Sequence, residues 1–324
     1  MANTRTTFAI RPVEPADVAS WLGLVNRFRY WQDDLEELRF DDTLRPPDEP
    51  LLRLGAWTPD GALAGVAEAA LSEDGSRYTD RAAGLVGVAP AYRRLGLGAR
   101  LAEEVERFAA ANGAKWVEAE VRESNLPVSL PFVQQRRYVE LERYRTSVQT
   151  PSTVDLSGLT ALRTGLESEG IEIATLPAID SPRARDELHR LTVEIWRDMP
   201  HEPHVDWEDP SPETFSRSTF ERPSVLLDGY FVARDGERIV GLSYLARRPA
   251  GDAEVGDTGV QRDYRRRGIA RALKMMVTRY ATEHGIKRVH TDNRADNAAM
   301  LAINRELGFV PGEEIVIFEK TVAS

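Results

Sequence analysis

The sequence predicts a mixed α/β protein built from two copies of one domain. Three observations carry this. At 324 residues the chain has the length of about two domains. Its composition, 42% apolar and 29% charged, suits a core-forming globular chain and excludes disorder as the main state. Finally, GLVGVAPAYRRLGLGARL at 84–101 returns as GDTGVQRDYRRRGIARAL at 256–273. Val88 and Val260, Arg93 and Arg265, Gly96 and Gly268, and Leu101 and Leu273 each lie 172 residues apart. The register persists downstream, with Val117 against Val289 and Asn125 against Asn297 at 172, and Tyr138 against Phe309 at 171.

The elements repeat in the same order. Apolar alternation predicts strands in LLRLGAWT (51–58), ALAGVAEAAL (62–71) and RAAGLVGV (81–88) of the first copy. The second copy offers GYFVAR (229–234), RIVGLSYLA (238–246) and AEVGDTGV (253–260). Hairpin turns fall at Pro59-Asp60-Gly61 and Asp235-Gly236. A Gly-bearing turn then opens an amphipathic helix, Gly98–Asn112 and Ala270–His284, each stopping at a glycine, Gly113 and Gly285. Strands follow at 115–121 and 287–293, and second helices start near Asn125 and Asn297. The Pro/Ser/Thr/Gly-bearing stretch after residue 150 predicts a linker with a helical middle. We divide the chain into residues 1–152, a linker 153–170, and residues 171–324.

Composition excludes several function classes. There is no cysteine, hence no disulfide scaffold, Cys-ligated zinc or thiol nucleophile, which fits a cytoplasmic protein. No apolar run is long enough to span a membrane, and MANTRTTFAI does not read as a secretory signal. The net charge is −10, shared as −4 over 1–150 and −6 over 151–324, with no basic tail or face. A nucleic-acid partner is therefore not expected. His201-x-x-His204 lacks a helical partner pattern, and no metal site is expected.

The Gly-bearing turn is built to hold an anion. Glycines let the backbone approach a ligand, and the first N–H groups of the helix point at it unpaired. The helix dipole favours a phosphate there, and Arg93, Arg94, Arg265, Arg266, Arg267 and Arg271 would add charge-assisted contacts. A tight turn with solvated arginines would explain one such segment but hardly two in register. A dinucleotide fingerprint fits less well, because its third glycine position is Leu101 and the second copy carries Ala270. A Walker loop fails for want of Gly-Lys-Ser/Thr.

Both turns resemble the GCN5-related N-acetyltransferase (GNAT) signature, Gln/Arg-x-x-Gly-x-Gly/Ala. The residues are Arg93-Arg94-Leu95-Gly96-Leu97-Gly98, followed by Ala99, and Arg265-Arg266-Arg267-Gly268-Ile269-Ala270. The second copy also carries the C-terminal element NAAMLAINRELGF (297–309). The first has NLPVSLPFVQQRRY (125–138), with Arg137-Tyr138 where Gly-Phe is usual. The tandem layout is similar to that of mycothiol synthase-like acetyltransferases. The resemblance implies, in each copy, a central, mostly antiparallel twisted sheet flanked by helices, and acetyl-coenzyme A or another acyl-coenzyme A as the phosphate-bearing ligand. The strand ending at Val88 or Val260 would lie along the pantetheine arm, with a backbone N–H near Val260 stabilising the oxyanion. Asn293 and Asn297 would join the cofactor site.

The resemblance also suggests catalytic residues. A glutamate on the strand before the turn often deprotonates the amine in this family; six residues before Val260 stands Glu254, while six before Val88 stands Ala82. Glu254 could equally be a solvated strand residue, and His290 is the second candidate. Relatives often use a tyrosine four residues before the Gly of Gly-Phe to protonate the thiolate, where this chain has Asn304 and, in the first copy, Val133. Substrate-side segments are acidic: Asp33, Asp34, Glu36, Glu37, Asp41 and Asp42, then Asp198, Glu202, Asp206, Glu208 and Asp209, with Trp196, Trp207, His201 and His204 beside the latter. Such a mouth would attract a cationic amine. The expectation is an N-acetyltransferase acting on a small-molecule amine, monomeric or homodimeric, with the second copy catalytic. A non-catalytic acyl-coenzyme A sensor or scaffold, and an aminoacyl- or long-chain acyl-transferase, remain the alternatives.

Overall fold

The computed structural model describes residues 7–73, 76–78, 80–199 and 207–322. The first repeat supplies β1 (Ala9–Pro12), α1 (Val18–Val25), α2 (Leu35–Leu44), β2 (Leu51–Trp57), β3 (Leu63–Ala70), β4 (Ser72–Glu73) and β5 (Ser76–Tyr78). It continues with β6 (Arg81–Val88), α3 (Leu97–Ala111), β7 (Trp116–Arg122), α4 (Leu126–Gln135) and β8 (Val139–Gln149). Residues 153–170, expected as a linker, hold α5 (Leu159–Ser168), whose Leu159 and Leu166 are buried in the core of the second compact unit. Then come β9 (Ile171–Thr175), α6 (Leu176–Ile179), α7 (Pro182–Asp198), β10 (Trp207–Glu208) and α8 (Pro212–Phe220). The chain closes with β11 (Phe231–Asp235), β12 (Arg238–Arg248), β13 (Asp252–Val260), α9 (Ile269–Glu283), β14 (Val289–Arg294), α10 (Ala298–Glu306) and β15 (Val310–Thr321).

The chain forms two compact units, one of Met1–Arg143, Glu202–Asp209 and Glu314–Ser324, the other of Tyr144–His201 and Pro210–Glu313. In unit one the strands lie in the order β1-β2-β3-β6-β7-β15, all antiparallel neighbours except β6 and β7. In unit two the order is β8-β14-β13-β12-β11-β9, with β13 and β14 the parallel pair. The last strand of each repeat thus serves the other unit's sheet: Tyr144–Gln149 of β8 pair with β14, and Ile315–Thr321 of β15 pair with β7.

Each sheet is covered on both faces. On α3, Leu97, Leu101, Val105 and Ala109 recur every four residues and are buried against β3, β6 and β7, while α1 and α2 cover the other face with Trp21, Leu22, Val25 and Leu38. In unit two α9 plays the part of α3, and Leu188, Leu191 and Ile195 of α7 with Phe215 of α8 cover the opposite face. Ser181 caps α7, its Oγ accepting the Ala184 N–H at 3.1 Å, with Pro182 at the first helical position. Both helices that follow the Gly-bearing turns begin one residue earlier than the sequence predicted, and Gly96 and Gly268 are their N-caps.

Candidate active site

The two Gly-bearing turns have the same backbone. Arg94 and Arg266 both sit at φ +64°, and Gly96 and Gly268 at φ +80° and +85°. Two left-handed residues flanking one ordinary residue turn successive N–H groups inward, a concavity suited to an anion at the start of a fifteen-residue helix. The leading arginines hold the turn rather than face it: Arg93 Nε donates to the Val88 carbonyl at 3.1 Å, and Arg265 Nε to the Val260 carbonyl at 2.9 Å. Arg265 also pairs with Asp198 at 2.5 Å, Arg267 with Glu169 at 2.7 Å, and Arg271 lies 3.8 Å from Glu306. Exposed Arg94 and Arg266 make no ion pair among the described residues, so they are the arginines available to a phosphate. Ile269 is buried beneath the turn, and Gly98, Ala99 and Ala270 are half-buried behind it.

Beyond the turn lies a gap between parallel strands. β13 and β14 pair only at Ala253–Val289 and Glu254–His290 and then separate. Gln261 N–H donates to the Val240 carbonyl at 2.9 Å, so the neighbouring Gly241–Val260 pair is of the non-hydrogen-bonded kind. The Val260 N–H therefore points away from β12, into the gap. An extended chain with an anionic end fits here, its arm along β13 and its phosphates in the turn, and acyl-coenzyme A has that form.

Glu254 stands at the apex of the gap, where the two strands part. Between the Ser243–Thr258 and Leu245–Val255 pairs, β13 carries one residue more than β12, a bulge at Gly256-Asp257. Val260 and Thr258 face α9 on one side of the bulge, Val255 and Ala253 on the other, and Glu254 is thereby turned to the α7 face. It is 1% exposed, its Oε2 accepts from Arg248, and its Oε1 has no hydrogen-bond partner among the described residues. Burial pushes its carboxyl up to about 8, against the pull of Arg248 and with the push of Asp292. His290, its register partner, bonds Asp252 Oδ2 at 3.0 Å through Nε2. Burial holds His290 below its ordinary value despite Asp252, so it stays neutral near pH 7. Asp252 also accepts from Arg288 at 3.0 Å.

The opposite side of the gap is neutral and donor-rich. Asn304 is 2% exposed on α10, and its Nδ2 donates to Asn293 Oδ1 on β14 at 2.7 Å. Asn297 Oδ1 caps α10, accepting the Met300 N–H at 3.3 Å, so that oxygen serves the helix. Sequence reasoning overlooked Arg248, Lys274 and, on β8, Gln149, whose Oε1 accepts from Thr278 of α9 at 3.2 Å and whose Nε2 donates to the Leu307 carbonyl at 2.6 Å. Lys274 had a signal, a single cation within the apolar run ALKMMV; the β8 contribution had none, because it arises from strand exchange.

Unit one differs where chemistry would occur. β6 runs against β3 with unbroken register and stays zipped to β7 through Gly84–Ala119. Without a bulge, Ala82 points into the α3 core, fully buried, so it is no spatial counterpart of Glu254. The α1 face carries ion pairs instead: Glu68 with Arg29 at 2.8 Å and Arg53 at 3.5 Å, and buried Arg81 with Glu118. Val133 is buried. Of the acidic mouth residues, Asp34 caps α2, Asp33 pairs with Arg29, Asp42 with Arg53, and Asp198 with Arg262 and Arg265. Trp196 Nε1 donates to Asp257 Oδ2 at 2.8 Å. His201, Glu202, His204 and Asp206 lie outside the described residues, as does the side chain of Trp207.

The profile of the acetyltransferase (GNAT) family matches twice, over residues 17–133 and 188–309. The chain belongs to this family. A mycothiol acetyltransferase from Geodermatophilus obscurus is 26% identical over 313 residues, 92% of each chain. A tandem GNAT protein from the clavulanic acid biosynthesis pathway superposes with a TM-score of 0.74 at 17% identity, covering 98% of this chain and 99% of its own. A GCN5-related N-acetyltransferase from Sphaerobacter thermophilus gives a TM-score of 0.70 at 19% identity, covering 100% and 98%. The fold is thus a tandem GNAT fold, and the protein is an acyl-coenzyme A-dependent N-acetyltransferase. Among the described residues no helix is long and apolar enough to cross a membrane.

Proposed function

We propose that unit two moves an acetyl group from acetyl-coenzyme A to a primary amine of a small, cationic molecule by direct attack, and that unit one does not turn over. One observation carries this reading: the bulge in β13 turns a buried glutamate at the apex of the strand gap to the α7 face, whereas β6, without a bulge, turns an alanine into the α3 core. When bound, the coenzyme would supply the acetyl group as an activated thioester. The 265–270 turn would hold its phosphates and the gap its arm, with Asn293, Asn304 and Val260 along it. A lysine-like amine is charged near neutrality and must lose a proton before attacking; Glu254, titrating near 8, is matched to accept it. The Val260 N–H would donate to the carbonyl oxygen, a preorganised contact of a kind generally worth about 2.7–4 kcal/mol. His290, tied to Asp252, orients the neighbouring strand. Asp252, Asp257 and Asp292 share the Glu254 face and favour a cationic acceptor.

A thiol-release assay with acetyl-coenzyme A tests this across polyamines, aminoglycosides, amino acids, peptide N-termini and a mycothiol-type amine. The similarity to a mycothiol acetyltransferase makes that last acceptor worth including. Turnover confined to one small amine is expected. Coenzyme binding without turnover on any amine would refute the reading in favour of a sensor.

A further inference from the structure

Lys274 is buried in α9, 1% exposed, with no carboxylate bonded to it among the described residues. Its Nζ donates to Asn304 Oδ1 at 2.8 Å and otherwise meets the Phe309 ring, 5.2 Å to the centroid. Packing does not call for an amine here, since a methionine would fill the same volume among Met275, Met276 and Phe309 without the penalty of burying a cation. What the amine does is set a polarity. Because Lys274 donates to it, Asn304 turns its Oδ1 to Lys274 and its Nδ2 to Asn293. Asn293 Oδ1 accepts that bond at 2.7 Å, which leaves the Asn293 N–H₂ group, among the described residues, as the end of the chain without a partner. Asn293 is half-buried on the diverging part of β14, three residues beyond His290, on the face opposite Glu254. The strand gap therefore has a proton acceptor on one face and, on the other, a chain of amides that ends in one oriented donor, the Asn293 N–H₂ group.

We propose that Lys274 is a positioning residue that holds the Asn304–Asn293 amides with their donor end toward the gap, where they stabilise the coenzyme sulfur as it takes on charge. This rests on the function proposed above. The N–C bond forms and the C–S bond breaks; the electron pair passes to sulfur, Glu254 takes one proton from the ammonium before attack, the second leaves the nitrogen for the departing thiolate or solvent, and Lys274 keeps its own. Burial lowers the lysine to about 7, with Asp292 opposing. Among the described residues Asp292 is the charged group that acts on it; Asn304 on α10, Thr278 on α9 and Gln149 on β8 are neutral.

The test reads the thiol of bound coenzyme A by its thiolate ultraviolet absorbance near pH 7, together with calorimetric affinity. An oriented donor should raise the thiolate fraction about tenfold over free coenzyme A, one unit of thiol pKa. Lys274→Met should return it to the free value, with affinity within about threefold and thermal stability equal or higher. Asn293→Ala, at a half-buried position, should lower the thiolate fraction likewise without touching the core, whatever it does to affinity. A thiolate fraction in the wild type equal to that of free coenzyme A would overturn the inference alone, as would one unchanged in both variants. If the wild type fails to bind coenzyme A, the function reading falls and takes the inference with it.

Discussion

Replacing Glu254 with glutamine removes the proton acceptor but keeps the shape and an oxygen for Arg248. In the folded protein the carboxyl titrates near 8, whereas its ordinary value is 4.5. Between those values the folded state holds a proton that the unfolded state has released. Wild-type stability should therefore be fullest below 4.5, decline as pH rises through this window, and level off above about 8. At about 1.36 kcal/mol per unit the shift amounts to something of order 5 kcal/mol, an upper figure because the site can relax around the charge. Glutamine has no such dependence. Urea unfolding of both proteins near pH 5 and near pH 9 should show the variant gaining steadily on the wild type. Turnover should move the other way: wild-type kcat rises toward pH 8, and the variant loses ~10²–10⁴-fold, with coenzyme affinity nearly unchanged. The kinetic loss should shrink at high pH, where more of the amine is already neutral. A variant that turns over normally at every pH, or whose stability runs parallel to the wild type, would refute this account of Glu254.

Three further outcomes are expected. At Gly268, with φ +85° and Leu162 Cδ1 only 3.1 Å from where a Cβ would sit, any side chain is strained, so charge is isolated by comparing Gly268→Asp with Gly268→Asn. Coenzyme A affinity should be at least tenfold weaker for Asp, and equal affinities would remove the phosphate assignment. Gly96→Asp should retain most of kcat while losing ~1–2 kcal/mol of stability, the usual cost of a left-handed non-glycine residue; activity lost from this change alone would assign the chemistry to unit one, and a coenzyme stoichiometry of two per chain would show that its turn binds as well. His290→Gln should lower kcat less than tenfold, because the ring is neutral and tied to Asp252; a loss as large as that of Glu254→Gln would make His290 the base.

Local signals in the sequence determined the repeat, the amphipathic helices and the two Gly-bearing turns, because a glycine at positive φ and a four-residue apolar period act within a few residues of chain. Arg93 and Arg265 were legible as parts of those turns, but not their bonds to the carbonyls of Val88 and Val260, which exist only once the turn has closed. Counting back from the turn found Glu254 and matched it to Ala82. Only the sheet revealed that the match is one of numbering: one extra residue in β13 reverses which face the side chain takes, since strand side chains alternate, and a bulge depends on what the partner strand does. The strand exchange was equally hidden, because β8 and β15 carry the same alternation whichever sheet receives them. The apolar run ALKMMV marks Lys274 as an unusual helix cation but does not show what surrounds it. Its burial, its lowered pKa and its hold on Asn304 come from α10 and β14 closing around it, and the environment of a charge is a property of the fold.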